Sequence, residues 1–207
     1  VKQASHALLY TGIAAPLVLG LAVLIGGSLY PGYSHVSQFV SELGATGAPH
    51  PSVMNLGGLI PAGALTVAFA LAMYRRYRPG TALAVSSSLV ALAGMSRLIA
   101  GIFPCDPGCS LEAMSSSARI HAAAGLSAFV SGMVAPFLFA VAMRTERVRL
   151  FWPSLALGAG ALVAFALGSQ QGANSPYIGA FQRLHLAFFH AWVLVVAAAG
   201  AVQQRSR

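Results

Sequence analysis

Six apolar runs of about twenty residues each, separated by short gaps that hold most of the charge, leave this chain few ways to fold. They cover residues 7–30, 53–74, 81–103, 119–143, 150–168 and 182–202. At about 1.5 Å of rise per residue, a helix of that length crosses a hydrocarbon layer about 30 Å thick. No water serves backbone N–H and C=O groups inside such a layer, so each run must pair them within itself as an α-helix. The expected fold is all-α: a polytopic membrane protein with six transmembrane helices in one bundle, a single domain over residues 1–207.

Charged residues make up 8% and hydrophobic residues 57% of the chain, which excludes an ordinary soluble domain. A net charge of +8 would point to nucleic acid in a soluble protein. Here the basic residues flank apolar runs, no nucleic-acid-binding motif is present, and topology accounts for the charge. Arg75, Arg76 and Arg78 fill one gap, Arg144, Arg147 and Arg149 another, and Arg205 and Arg207 the tail, whereas Glu42, Asp106 and Glu112 lie in the alternate gaps. By the positive-inside rule both termini and the basic loops are expected in the cytoplasm of a bacterial inner membrane. The first run lacks an Ala-x-Ala cleavage site and reads as a retained helix. The outer loops are then 31–52, 104–118 and 169–181. Pro16, Pro61 and Pro136 fall inside runs, where kinks are expected.

The first outer loop is too long for a simple turn. Val36, Phe39, Val40 and Leu43 recur at helical spacing, with Ser34, Ser37 and Ser41 on a neighbouring strip and Gly44 as a stop. That pattern predicts a short amphipathic helix over 33–44, lying on the outer leaflet or folded over the bundle mouth. In the second outer loop Cys105-Asp106-Pro107-Gly108-Cys109 has two thiols flanking a Pro-Gly turn. They close a disulfide if the compartment is oxidising, and stay two free thiols otherwise.

Glu42, Asp106, His121 and His185 share one membrane depth in this topology. Two carboxylates and two imidazoles there suit acid–base catalysis or a divalent metal, with Asp106, His121 and His185 as the candidate ligands. Taken singly, each histidine reads more readily as a hydrogen-bonded side chain at a helix start; for the pair in its shared Arg-x-His context the two readings balance. Haem is disfavoured by the nearby arginines and the small bundle. Arg97 lies about six residues inside the outer end of its run. A charge at that depth is costly and calls for a partner: Glu42, Asp106, or the phosphate or carboxylate of a ligand. Arg119 and Arg183 open their runs in a repeated Arg-x-His pattern, and residues two apart on a helix point to different faces. If His121 and His185 face a cavity, their arginines turn elsewhere. Ser37, Ser41 and Asn55 complete the candidate binding groups alongside Arg97, Arg119 and Arg183.

Tyr30-Pro31-Gly32-Tyr33, the run from Ser37 to Gly44, Asn55-Leu56-Gly57-Gly58, and Gly101-Ile102-Phe103-Pro104 with Asp106 and a histidine opening the next span form a recognisable set. Through most of its length the chain resembles the bacterial six-helix membrane family known as domain of unknown function 998. Its first outer loop has a fainter likeness to DRAM-type and GPI-anchor lipid-remodelling membrane proteins, which implies a lipid substrate and no mechanism. Cys105 and Cys109 are not part of that family pattern. The expected function is a membrane enzyme acting on a lipid or isoprenoid at the outer leaflet through Glu42, Asp106, His121 and His185. The alternative is a non-catalytic lipid-binding or transport protein gripping an anionic head group with the same cluster.

Overall fold

The computed structural model describes residues 2–77, 80–145, 147–171 and 175–202; Arg78, Arg205 and Arg207, counted above among the basic residues, lie outside them. Six long helices carry the apolar runs: α1 (Lys2–Ser28), α2 (Pro51–Arg76), α3 (Thr81–Ile102), α4 (Ser116–Met143), α5 (Val148–Gln171) and α6 (Ile178–Val202). All six are long and apolar enough to span a membrane, and no strand occurs among the described residues. Each helix packs against the next in sequence, and α6 closes the ring on α1.

Lipid is as apolar as a leucine side chain, so close packing and buried hydrogen bonds hold such helices together. Gly63 and Gly94 show the first: a Cβ on Gly63 would lie 2.7 Å from the Gly94 carbonyl oxygen, so α2 and α3 cross backbone to backbone. Ser86 Oγ donates to Ala135 O at 2.8 Å between α3 and α4, and Trp192 Nε1 donates to Ser154 Oγ at 3.1 Å between α6 and α5. Prolines act differently by position. Helices α1 and α4 continue unbroken through Pro16 and Pro136. Ahead of Pro61 the chain widens into a π turn over Asn55–Leu59, with the Ile60 N–H bonded back to Asn55 O. Proline has no N–H for the Gly57 carbonyl and would crowd it in a regular helix, and the wider turn relieves that clash.

The core fills the end of the bundle that holds the α2–α3 and α4–α5 connections. Phe69, Tyr77, Phe139, Phe189 and Trp192 are fully buried there. Tyr77 meets Phe139 edge to face at 5.1 Å between centroids, and Phe139 meets Trp192 at 5.7 Å. Tyr77 also donates its hydroxyl to Val196 O at 2.8 Å.

At the opposite end the first loop folds over the bundle. Its helical part is shorter than the apolar spacing predicts, a single 3₁₀ turn over Val40–Gly44. Side chains compete for the backbone donors that a longer helix needs. Ser34 Oγ accepts from the N–H groups of Val36 and Ser37 at 3.3 Å, and Glu42 Oε1 accepts from the Phe39 N–H at 2.7 Å. Val40 and Leu43 do not lie on a surface. They insert among Leu19, Ala22, Met54 and Ala62.

Candidate functional site

Beneath this loop is a cavity of about 220 Å³. Leu19 of α1, Leu59 of α2, Ser96, Arg97 and Ala100 of α3, one stripe of α4 from Ala118 to Phe129, and Gln182, His185 and Leu186 of α6 form its walls. Phe39, Val40 and Ser41 roof it, together with Cys105, Cys109 and Leu111. Helix α6 clamps the roof. Gln182 Oε1 accepts from the Val40 N–H at 2.6 Å, Arg183 Nη1 donates to Gln38 O at 2.8 Å, and the Ala180 N–H donates to Val36 O at 2.8 Å. Arg183 Nη2 also donates to the Tyr33 hydroxyl, which in turn donates to Phe39 O at 2.8 Å. Burial pushes the Tyr33 phenol above its ordinary range, against the opposing pull of Arg183, so it stays a donor at neutral pH. Glycine is required at 179, where a Cβ would come within 2.2 Å of Gln38 O.

Arg97 dominates the cavity chemically. It is 5% exposed, and its Nη1 is buried with no hydrogen-bond partner among the described residues. Its guanidinium lies over the Phe189 ring at 5.2 Å from the centroid, at the point where the aromatic core gives way to the cavity. Neither expected carboxylate reaches it. Glu42 turns both oxygens to its own loop, Oε1 to the Phe39 N–H and Oε2 to Gln38 Nε2 at 2.9 Å. Asp106 is partly exposed and accepts from the Ser115 N–H at 2.8 Å, the bond that holds its carboxyl below the usual range. It thereby tethers the second loop to the start of α4. Neither acid lines the cavity.

The two histidines do line it. His121 Nδ1 lies 3.1 Å from Ala100 O and 2.9 Å from Phe103 O, and His185 Nδ1 lies 3.1 Å from Ala161 O. A carbonyl neighbour requires the proton on Nδ1, so each neutral ring keeps its lone pair on Nε2. The expected divergence within each Arg-x-His pair holds. Arg119 turns to the surface and donates to Ser116 Oγ at 3.3 Å, and Arg183 turns to the roof. Asp106 is apart from the histidines, and among the described residues no three His, Cys, Asp or Glu side chains are grouped to hold a metal. The residues brought together are Arg97, His121, His185 and Ser41; Ser37 is exposed, and Asn55 Nδ2 pins Gly44 O at 2.9 Å outside the cavity.

Cys105 and Cys109 are joined in a disulfide. Ser41 Oγ lies 3.4 Å from Cys109 Sγ, and the Thr46 N–H donates to Cys105 O at 2.9 Å, so the ring is stitched to the roof. Sequence reasoning missed Gln182, which both clamps the roof and lines the cavity, and Phe189, which supports Arg97. A glutamine at the very start of an apolar run was the available signal for the first; nothing in the sequence marked the second.

Six helices long and apolar enough to span a membrane, packed around a roofed cavity with a buried arginine on its wall, define a multi-pass membrane protein. The chain belongs to the family described as Protein of unknown function (DUF998), whose model matches residues 13–199. Neither a curated protein nor a solved structure matches it.

Proposed function

We propose that this protein binds the anionic head group of a membrane lipid or isoprenoid in the roofed cavity, at the outer leaflet, with Arg97 as the anchoring group. The observation that carries this reading is the buried, unpartnered Nη1 of Arg97 on the wall of an otherwise mostly apolar cavity. A buried guanidinium without an anion costs several kcal/mol, and a carboxylate or phosphate that forks onto it offsets that cost. Ser41, Ser96 and the amide of Gln182 add polar groups around the same space, and the Nε2 lone pairs of His121 and His185 suit hydroxyl groups beside the anion. The outer-leaflet placement follows from the basic gap residues Arg75, Arg76, Arg144, Arg147 and Arg149 at the other end of the bundle, which by the positive-inside rule lie in the cytoplasm with both termini.

Binding accounts for the geometry better than catalysis does. Both carboxylates expected to act as acid and base are engaged by Gln38, Phe39 and Ser115. Of the two roof hydroxyls, Ser41 rests against the Cys109 sulfur and Ser110 accepts from the Glu112 N–H, neither against a histidine. The test is binding of radiolabelled dodecyl phosphate to the protein in nanodiscs of zwitterionic lipid. Arg97→Gln is expected to weaken it at least about tenfold, the loss of a charge-assisted pair. Unchanged affinity in a folded Arg97→Gln protein would remove the reading.

A further inference from the structure

The head-group cavity does not end at His185. A second cavity of about 230 Å³ adjoins it and shares Phe39, Leu111, Phe129, Gln182 and His185 with the first. Its own walls are Ala164, Phe165 and Gly168 of α5 with Ile178 and Phe181 of α6, and Ser169 is the one polar side chain these helices add. The charge of Arg97 belongs to the first space alone, while beyond the shared Gln182 and His185 the second gains mainly aromatic rings and aliphatic carbons. A ligand filling both must be polar at one end and apolar at the other.

On α4 the wall of the first cavity is open to the outside of the bundle at one side chain. Leu126 lines the first cavity yet is 57% exposed, and it sits ten residues into α4, about 15 Å along the helix axis. Beside it, a Cβ at Gly125 would meet nothing within 4 Å. Ala122, Gly125, Leu126 and Phe129 lie on one helical stripe, so the gap and the junction of the two cavities belong to the same face of α4. Overhead, by contrast, the roof is held by hydrogen bonds to Gln182 and Arg183.

We propose that the occupant is a chain-bearing anionic amphiphile that enters sideways from the bilayer past Leu126, seats its head on Arg97 and runs its apolar chain past Phe129 into the cavity between α5 and α6. This rests on the head-group reading above and adds the chain site and the route. A water-soluble anion would use only the first cavity and would have to come through the clamped roof.

Dodecyl phosphate bearing a diazirine at the chain end tests the placement directly, with the unaltered protein in nanodiscs of zwitterionic lipid and adducts mapped by peptide mass spectrometry. Adducts are expected on Phe165, Ile178 or Phe181, with labelling lost in Arg97→Gln. Gly125→Phe, whose Cβ occupies open space, is expected to slow labelling at least tenfold; labelling at the unaltered rate would overturn the sideways route. Adducts confined to lipid-facing Leu162 and Val163, or to the loop around Leu111, with labelling still dependent on Arg97, overturn the chain site and leave the head-group reading standing. Methyl phosphate binding as tightly as dodecyl phosphate would assign the site to a soluble anion and also overturn it. Labelling of Phe165, Ile178 or Phe181 that ignores Arg97→Gln would instead remove the head-group reading, and this inference with it.

Discussion

Replacing Arg97 by methionine should stabilise the ligand-free protein. If Arg97 formed an ion pair with Glu42 or Asp106, as its depth in the sequence leads one to expect, removing it would strand a buried carboxylate at a cost of about 3–5 kcal/mol. The structure reverses the sign. Arg97 is 5% exposed, its Nη1 has no partner, and its cation–π contact with Phe189 is worth about 1–2 kcal/mol. Against that stands a desolvation penalty of several kcal/mol for the buried charge. Methionine keeps the unbranched stem and the contact with the ring without the charge. The expected gain is about 1–4 kcal/mol, and for a chain of this length each kcal/mol raises Tm by about 2–4 °C. Unfolding in nanodiscs of zwitterionic lipid, followed through the fluorescence of buried Trp192, reads this directly. Dodecyl phosphate should raise the Tm of the unaltered protein and leave that of Arg97→Met unmoved. A loss of 3–5 kcal/mol on substitution would refute the reasoning, because it would mean that the resting protein already supplies an anion to Arg97.

Three further outcomes are expected. In protein isolated without reductant Cys105 and Cys109 should resist alkylation, and replacing both by serine should speed hydrogen exchange in residues 104–115. For so short a loop, chain entropy limits the accompanying loss of stability to about 2 kcal/mol; two freely alkylated thiols would contradict the ring. Asp106 has a lowered carboxyl pKa because it accepts from the Ser115 N–H. Its contribution is fully present above the ordinary carboxyl value of 3.8 and is lost as pH falls through the lower folded value. Protection of the first turn of α4 against hydrogen exchange, measured relative to the intrinsic exchange rate at each pH, should therefore fall on acidification below 3.8, and Asp106→Asn should abolish that dependence; an unaltered acid response would refute it. In a variant lacking Cys105 and Cys109, Thr46→Cys should react with an impermeant maleimide on intact cells and Thr145→Cys only after permeabilisation. The reverse pattern would place the cavity in the inner leaflet.

The six spans were legible because lipid leaves backbone groups one solution, and that constraint is written in composition along the chain. The turning apart of Arg119 from His121 and of Arg183 from His185 was legible too, since two residues on a helix are about 200° apart. Two features were not. The loop over 33–44 has an apolar helical period, but apolar spacing does not register that Ser34 and Glu42 take the backbone donors a helix would use. The Arg97–carboxylate pairing was inferred from depth alone. Depth follows from position along a helix, whereas lateral position depends on how the ring of helices closes, which the sequence does not state. Glu42 found donors three and four residues away in its own loop before any arginine of another helix.

What ties roof, cavity and core together is a single face of α6. Gly179 admits the first loop, and Gln182 and Arg183 hold it. One turn further, His185 and Leu186 form the cavity wall; the next turn places Phe189 under the Arg97 guanidinium. Beyond that, Trp192, Val193 and Val196 are fully buried in the core. These positions advance by three or four residues, the spacing that keeps side chains on one side of a helix. The consequence is mechanical. An anion drawn to Arg97 acts on a guanidinium already braced by α6, and the same helix clamps the roof through Gln182 and Arg183. Occupancy of the cavity and closure of the first loop therefore bear on one rigid element two turns apart, whereas the disulfide-closed second loop completes the roof with Cys105, Cys109 and Leu111 and is stitched to the first loop at Ser41 and by the Thr46–Cys105 bond.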